Sequence, residues 1–258
     1  QYANIRPTRV LPGLTSPLRA VEPGDIDWVI VRENSEGEYA GHGGRAHRGH
    51  PEEIATETAI FTRAGVTRIM RTAFEIAKNR PRRLLTVVTK SNAQKHGMVF
   101  WDEIAAEVAK GYPTVTWEKE LVDAMAARMI QRPGSIDTVV ATNLHADILS
   151  DLAGAVAGSL GVAPTANLDP SRRFPSMFEP IHGSAFDIAG KGVANPVATF
   201  WTATMMLEHL GEPVAGRLLM EAVERVCAAG IRTRDVGGTA TTAEVTDAVI
   251  AAIKGANL

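Results

Sequence analysis

Hydrophobic and polar positions follow two repeating patterns along most of the chain. A continuous apolar run at residues 28–31 predicts a strand that is buried on both faces of a sheet, and the largely apolar segments at residues 84–89 and 136–141 also predict strands. Apolar positions that recur every three or four residues between residues 66 and 77 predict an amphipathic helix, and Thr62 is its expected N-cap. Strand-like and helix-like segments alternate, which predicts an α/β architecture with a partly parallel sheet.

The same patterns place the remaining elements. Further strands are expected at residues 56–61 and 114–117, and further helices at residues 99–108, 122–130, 146–160, 215–229 and 242–253. Residues 36–51 are rich in Gly and His and predict a loop or an extended arm. Residues 174–196 are irregular and rich in Gly and Pro, and a long irregular segment of this kind is usually functional. Asn195 and Pro196 then provide an N-cap and a first helical position for a helix through residue 210.

Composition and charge limit the classes of partner. The 258 residues include 27 Lys and Arg and 29 Asp and Glu, a near balance that argues against nucleic acid or an anionic membrane as the main partner. The length fits one large domain or two smaller ones. The apolar stretches are too short to span a bilayer and no signal-peptide pattern is seen, so a cytoplasmic protein is expected. The single cysteine, Cys227, excludes an intrachain disulfide and fits a reducing compartment.

Several common signatures are missing. No G-x-G-x-x-G follows a strand, and no zinc pattern or serine-nucleophile elbow occurs. The Gly190–Gly192 stretch only superficially resembles a P-loop, because Gly192 stands where Ser or Thr must reach the metal. His42, His47 and His50 cluster in the Gly-rich segment; they are candidate metal ligands, but a solvated polar arm is the favoured interpretation.

Two carboxylates lie four residues apart where an apolar strand gives way to a helix. Asp147 and Asp151 share one face of that helix. Like charges at this spacing destabilise a bare helix, so a cation between them is a natural explanation, and oxygen ligands suit Mg²⁺ or Mn²⁺. Open α/β sheets also bind ligands at the carboxyl ends of their strands. The alternative is that the acids merely favour the helix dipole, and the spacing alone leaves both interpretations open.

Four further motifs accompany this pair in the chain. They are VRENSEGEY at residues 31–39, TKSN at residues 89–92, VDAM at residues 122–125 and EPIHGSA at residues 179–185. Together with the carboxylate pair, and in this order, they resemble the isocitrate/isopropylmalate dehydrogenase family over essentially the whole chain.

Three positions depart from the wider family pattern. His145 and Ala146 replace the usual aromatic residue and glycine before the first aspartate, and Phe186 replaces a proline. These departures resemble the branch of the family that acts on tartrate and D-malate. They weaken the isopropylmalate and isocitrate interpretations and leave the metal ligands untouched.

The resemblance implies roles for individual residues. A divalent ion, Mn²⁺ or Mg²⁺, would be held by Asp147 and Asp151 of one subunit and by Asp123 of its twofold mate. Substrate binding and catalysis fall to two further sets: Arg6, Arg32 and Asn92 for the substrate, and Lys90 and Tyr39 for catalysis. The lysine would accept the hydroxyl proton, and the tyrosine would protonate carbon after decarboxylation. Outside the family context, Asp123 is an ordinary helix-start residue, and a lone arginine is an ordinary surface charge.

The resemblance also implies a dinucleotide-binding loop. Its matching residues are Glu179, His182, Gly183, Ser184, Ala185, Asp187 and Asn195. Asp187 would accept hydrogen bonds from the ribose hydroxyls and repel a 2′-phosphate, which favours NAD over NADP. A monovalent cation such as K⁺ is a further candidate cofactor.

The expected fold is the two-lobed α/β/α fold of the family. Residues 1–157 would form the smaller inserted domain with a dimerisation arm, and residues 158–258 would form the C-terminal half of the large, NAD-binding domain. The N-terminal part of the large domain is absent from this sequence, so the natural protein is expected to be longer. A homodimer with shared active sites is expected, with no nucleic acid and no membrane as partner.

The expected function is NAD- and metal-dependent oxidation, with β-decarboxylation, of a small 2-hydroxy dicarboxylic acid such as tartrate or D-malate. A 3-isopropylmalate dehydrogenase is the nearest enzymatic alternative. A non-catalytic regulatory subunit of the same fold is another, but such a subunit is expected to lose Lys90, Tyr39 or an aspartate, and this chain has all of them.

Overall fold

The computed structural model describes residues 1–19, 21–22 and 24–255. The strands are β1 Ala3–Arg9, β2 Asp27–Glu33, β3 Gly37–Ala46, β4 Ile54–Ile60, β5 Leu84–Thr89, β6 Thr116–Leu121, β7 Thr138–Ala141, β8 Pro164–Leu168 and β9 Met177–Pro180. The helices are α1 Arg63–Asn79, α2 Gly97–Ala109, α3 Val122–Gln131, α4 Asn143–Val156, α5 Val197–His209, α6 Pro213–Ala228 and α7 Thr242–Ile253.

Seven strands form one mixed sheet in the order β6-β5-β7-β2-β1-β8-β9. The first four are parallel neighbours, whereas β1 runs antiparallel to both β2 and β8, and β9 runs antiparallel to β8. Thr62 caps α1 as predicted. The expected α/β architecture with a partly parallel sheet is confirmed.

Helices cover both faces of the parallel half of the sheet. Val140 of β7 packs in an apolar cluster with α1 and α2, whereas its neighbour Val139 packs in a second cluster with α3 and α4. Because successive side chains of a strand point to opposite faces, the two clusters lie on opposite sides of the sheet. A third cluster joins α5, α6 and α7 to Leu11 and Leu14.

Strands β1, β8 and β9 were not predicted from the sequence. The buried side chains Asn4, Arg6 and Thr8 alternate along β1, so this strand lacks the apolar run of a buried strand. Their hydrogen-bond partners lie far away in the chain, as in the bond from Asn4 to Asn167 across 163 positions. A local hydrophobic pattern carries no information about such a pairing.

β3 and β4 form a separate antiparallel hairpin, which we call the arm. The arm agrees with the extended segment predicted for residues 36–51 and with the strand predicted for residues 56–61. Most of its side chains are exposed, including His42, His47 and His50. Within the described residues, no group of three or more His, Cys, Asp or Glu side chains is arranged to hold a metal ion.

The starts of four helices, α2, α4, α5 and α6, differ from the prediction by one to three residues. α4 begins at Asn143, three residues early, because the Thr142 hydroxyl accepts a hydrogen bond from His145 N and caps the helix. α5 begins one residue later than predicted, so Pro196 is the N-cap and not the first helical residue. Asn195 Oδ1 accepts a hydrogen bond from the backbone N–H two residues later.

The division of the chain after residue 157 stays a prediction. The seven-stranded sheet extends across this point, because β1 pairs with β8. Across the described ranges, every helix is too short or too polar to cross a membrane.

Candidate active site

Asp147 lies at the centre of a polar cluster on α4. Its Oδ1 accepts hydrogen bonds from the guanidinium groups of Arg6 and Arg32, with Arg6 Nη1 at 3.4 Å, and its Oδ2 accepts one from the Tyr39 hydroxyl at 3.3 Å. Asp151 lies one turn further along the helix, and burial together with the nearby Asp147 charge raises the pKa of its carboxyl. The structure thus brings five of the predicted site residues together.

Asn143, the first residue of α4, fixes the Arg32 guanidinium. Its Oδ1 accepts hydrogen bonds from Arg32 Nε at 2.9 Å and from Arg32 Nη2 at 2.6 Å. The Arg32 Cζ also lies 5.6 Å from the centre of the Tyr39 ring, a cation–π distance. Asn143 was not predicted from the sequence, because its signal depends on where α4 begins.

Arg6 is fixed in a similar way from β1. Its Nε donates to Asn4 Oδ1 at 2.7 Å, and its Nη1 donates to the Ser150 hydroxyl. Burial and the nearby Arg32 charge lower the pKa of Arg6 to about 10, so it remains a cation at neutral pH. Two oriented, buried guanidinium groups balanced by one carboxylate form a site suited to an anionic ligand with carboxylate groups.

Lys90 and Asp123 form an ion pair with each other in one chain. Lys90 follows β5, and Asp123 lies in the first turn of α3. The hydrogen bond from Lys90 lowers the pKa of Asp123. Asn92 is exposed in the turn after Lys90. We still expect Lys90, Asp123 and Asn92 of a second subunit to lie beside the cluster around Asp147, and this stays a prediction.

The donor set around Asp147 and Asp151 fits a hard divalent cation. Carboxylate oxygens are the ligands that Mg²⁺ and Mn²⁺ prefer in proteins. The raised pKa of Asp151 has burial as its main cause and the like charge of Asp147 as its second, and a cation between the carboxylates offsets that repulsion. Two protein ligands leave coordination positions for a third carboxylate and for a chelating substrate.

A cavity of about 690 Å³ lies beside the loop between β9 and α5. Five residues predicted for the cofactor line it: His182, Gly183, Ser184, Ala185 and Asn195. A Cβ atom added at Gly183 would meet no protein atom within 4 Å, so the loop backbone there faces open space. Glu179 and Asp187 are exposed and lie outside the cavity lining.

Asp235 anchors one wall of this cavity and was not predicted from the sequence. Its Oδ2 accepts hydrogen bonds from the Ser159 hydroxyl at 2.6 Å and from Asn195 Nδ2 at 3.0 Å, and its Oδ1 accepts one from the Thr233 hydroxyl. Burial alone would raise the pKa of Asp235, but these donated hydrogen bonds outweigh it and hold the pKa below its ordinary value.

Gly161 allows the Asp235 side chain to reach these donors. A Cβ atom at position 161 would lie 2.7 Å from Asp235 Oδ2 and 2.9 Å from the Asn195 Cβ. In the sequence, Asp235 appears only as part of a break between two helices, because its partners lie 40 and 76 positions away.

Comparisons with known proteins agree with this geometry. The sequence profile of the isocitrate/isopropylmalate dehydrogenase family matches residues 1–249. A probable tartrate dehydrogenase/decarboxylase from Agrobacterium vitis is 76% identical over the whole chain, which spans 72% of that protein. The D-malate dehydrogenase [decarboxylating] of Escherichia coli (strain K12) is 49% identical over 254 residues, which cover 96% of this chain and 70% of that protein.

A solved structure supports the same assignment. The crystal structure of an isocitrate dehydrogenase from Methylococcus capsulatus superimposes with a TM-score of 0.90 and 38% sequence identity, covering 98% of this chain and 73% of that one. The resemblance drawn from the sequence motifs is confirmed. The chain belongs to the isocitrate/isopropylmalate dehydrogenase family and is an oxidoreductase that acts on a CH–OH group.

Proposed function

We propose that the protein oxidises and decarboxylates a small 2-hydroxy dicarboxylic acid, D-malate or tartrate, with NAD and with Mn²⁺ or Mg²⁺. The observation that carries this proposal is the convergence of Arg6, Arg32 and Tyr39 on Asp147. This cluster combines two carboxylate-binding groups, a proton donor and a metal ligand. The names of the tartrate dehydrogenase/decarboxylase and D-malate dehydrogenase relatives support the same substrate class.

Arg6 and Arg32 bind the substrate carboxylate that leaves as CO₂. A planar guanidinium group offers parallel N–H donors to both oxygens of a carboxylate. The two side chains are already fixed by Asn4 and Asn143, so little rotational freedom is lost when the substrate binds. Because both cations are largely buried, their attraction for a dianion is stronger than it would be at the surface.

Asp147 and Asp151 hold the divalent ion, and Asp123 of a second copy of the chain completes the site. When bound, the ion supplies Lewis acidity that stabilises negative charge on the substrate oxygen. A monovalent cation such as K⁺ is a candidate additional cofactor.

Lys90 and Tyr39 carry the two proton transfers. Lys90, as a neutral amine, would accept the hydroxyl proton, and NAD, when bound, would supply the acceptor for the hydride that leaves the same carbon. After CO₂ leaves, the Tyr39 hydroxyl donates a proton to the carbon that carried it. Lys90 is paired with Asp123 within one chain. Both side chains serve the Asp147 cluster from a second copy, which makes a homodimer with shared sites the active unit.

The cavity beside the β9–α5 loop takes the adenosine part of NAD. His182 offers a ring to the adenine, and Gly183 gives the backbone close access to the ligand. Asp187 is an exposed carboxylate on the same loop, which accepts hydrogen bonds from ribose hydroxyls and repels a 2′-phosphate. The expected cofactor is therefore NAD and not NADP.

Spectrophotometric assays of NADH formation test the proposal. Full-length protein is assayed with Mn²⁺ and K⁺ against D-malate, tartrate and 3-isopropylmalate, beside the variant Asp151→Asn. We expect turnover of D-malate or tartrate and a loss of about a hundredfold or more in kcat for the variant, because a metal ligand is removed.

The result separates the proposal from its alternatives. Preferred turnover of 3-isopropylmalate would identify an isopropylmalate dehydrogenase instead. A lack of turnover on all three acids would favour the non-catalytic regulatory subunit. Unchanged turnover of Asp151→Asn would overturn the metal site while leaving the enzyme assignment intact.

A further inference from the structure

A row of hydrogen-bonded polar side chains crosses the sheet between Arg6 and Glu179. Arg6 Nε donates to Asn4 Oδ1 at 2.7 Å, and Asn4 Nδ2 donates to Asn167 Oδ1 at 2.7 Å. Asn167 Nδ2 donates in turn to Glu179 Oε1 at 3.1 Å. We call these four side chains the polar row. It begins at a residue of the Asp147 cluster and ends on β9, the strand that precedes the loop beside the cofactor cavity.

The strand register produces the polar row. Asn4 lies opposite Asn167 in the antiparallel pair of β1 and β8, and Thr165 lies opposite Glu179 in the pair of β8 and β9. Arg6 follows Asn4 by two positions, so both side chains point to the same face of the sheet. Asn4 and Asn167 are only 2% and 4% exposed, so water is a poor substitute for their partners.

The two ends of the row fix the direction of every hydrogen bond in it. A guanidinium group only donates, and an ionised carboxylate only accepts. Asn4 must therefore turn its oxygen towards Arg6, and Asn167 must turn its nitrogen towards Glu179. If either amide turned over, like groups would face each other inside the sheet, which is strongly disfavoured. Asn34 Nδ2 donates to Asn167 Oδ1 at 3.0 Å and favours the same orientation.

We propose that Asn4 and Asn167 are positioning residues that hold the substrate-binding Arg6 and Glu179, a predicted cofactor residue on β9, in one fixed relation. The inference rests on the function proposed above, in which Arg6 contacts the hydroxy acid, and on the predicted contact of Glu179 with the cofactor. Neither asparagine touches a ligand, and each acts through the charged residue beside it. The rival role is purely structural, in which the amides only satisfy buried polar groups of the sheet.

Isothermal titration calorimetry distinguishes the two roles. The dissociation constants of D-malate with Mn²⁺ and of NAD are measured separately for each variant, together with the melting temperature. Asn4→Ala removes the acceptor of Arg6 Nε. We expect its Kd for D-malate to rise about tenfold and its Kd for NAD to change less than about threefold, since a hydrogen bond to a charged group is lost only at the Arg6 end.

Asn4→Asp tests whether the orientation of one amide determines the orientation of the next along the polar row. The new carboxylate still accepts from Arg6, but it cannot donate to Asn167, which must turn its nitrogen towards position 4 and its oxygen towards Glu179. We expect D-malate to bind within about threefold of the wild-type Kd while the Kd for NAD rises about tenfold. Asn167→Asp should give the same pattern, because a carboxylate at position 167 cannot donate to Glu179.

Thr138→Val is the matched control. Thr138 is a buried polar residue of the same sheet, in β7, and its hydroxyl has no hydrogen-bond partner in the described part of the chain. This variant should leave both dissociation constants unchanged.

The outcomes separate the inference from the function on which it rests. If wild-type protein binds neither D-malate nor NAD, the proposed function is wrong, and the positioning role is then wrong as well. If wild-type protein binds both, but the asparagine variants only melt at lower temperature with unchanged Kd values, the positioning role alone is overturned. A uniform loss of both ligands in all three variants would also overturn it, because the role requires Asn4→Ala to weaken mainly D-malate binding and the two aspartate variants to weaken mainly NAD binding.

Discussion

Arg32 and Asp147 form an ion pair between the end of β2 and the second turn of α4, although 115 positions separate them in the chain. Arg6 shares the same carboxylate. The arginine side chains are 10% and 11% exposed, whereas the Asp147 side chain is 37% exposed. Two buried cations therefore depend on one partly exposed anion, which is also a candidate metal ligand.

This arrangement predicts opposite effects for the two aspartates of α4 in metal-free protein. Asp147→Asn should lower the free energy of unfolding by about 1–2 kcal/mol, because two buried guanidinium groups lose a counter-charge that solvent partly screens. Asp151→Asn should leave that free energy unchanged or raise it, because burial and the Asp147 charge already disfavour its ionised form. Urea unfolding in the presence of EDTA measures both, and equal destabilisation by the two variants would contradict the prediction.

Tyr39 is expected to matter for catalysis and little for stability. The residue is 56% exposed, and its hydroxyl reaches Asp147 from the arm. Tyr39→Phe keeps the ring beside Arg32 but removes the proton donor, so kcat should fall about a hundredfold or more. The melting temperature should stay within about 2 °C of wild type, as expected for an exposed site. An unaltered kcat would assign the final protonation to another group.

Asp235 is expected to support cofactor binding because it accepts hydrogen bonds from Ser159 and Asn195 and so fixes their positions. An amide at this position keeps only one acceptor oxygen, so Asp235→Asn should raise the Kd for ADP-ribose about five- to tenfold. Calorimetry with ADP-ribose measures this without metal or hydroxy acid. Asp169→Asn is the matched control, because Asp169 organises a different loop outside the cavity and its loss should leave this Kd unchanged.

Asp169 should make the free energy of unfolding depend on pH. Hydrogen bonds from the Ser171 hydroxyl and from backbone N–H groups lower the pKa of Asp169 from 3.8 to about 2. Because the folded-state pKa lies below the unfolded one, the stabilisation is complete above the unfolded pKa and is lost as the pH falls towards about 2. Asp169→Asn should therefore be less stable than wild type at pH 7, and the difference should narrow below pH 3.8. Urea unfolding across this range measures the difference; a gap that widens on acidification would refute the assignment.

The parallel half of the sheet was predictable because its signal is local. Most residues of β5 are apolar, and the amphipathic pattern of α1 begins directly after its cap, Thr62. β1 and β8 were not predictable in this way. Their buried side chains include Asn4 and Asn167, which are stable inside the protein only because each is the other's partner.

The candidate site likewise contains residues with a local sequence signal and residues without one. The spacing of Asp147 and Asp151 was visible in the sequence, but the convergence of Arg6 on Asp147 requires the register of β1 against β2 and the position of α4. The resemblance to the family predicted Arg6 as a site residue, but it did not predict the residues that orient its side chain. Asn143 emerged only when α4 was found to begin three residues earlier than its hydrophobic pattern indicates, and Ser150 emerged only from its contact with Arg6 of β1.

The arm carries Tyr39 on β3, while the carboxylate that this tyrosine contacts belongs to α4. In the described part of the chain, the two strands of the arm form ladder hydrogen bonds only with each other, and most of the surface of the arm is exposed. At its base, Glu38 accepts hydrogen bonds from the Thr142 hydroxyl and from Leu144 N on α4. The reach of the tyrosine hydroxyl is therefore set by this anchor and by whatever restrains the rest of the hairpin. If a second copy provides that restraint, dilution below the dissociation constant of the dimer would slow proton delivery to carbon even while each separate chain stayed folded.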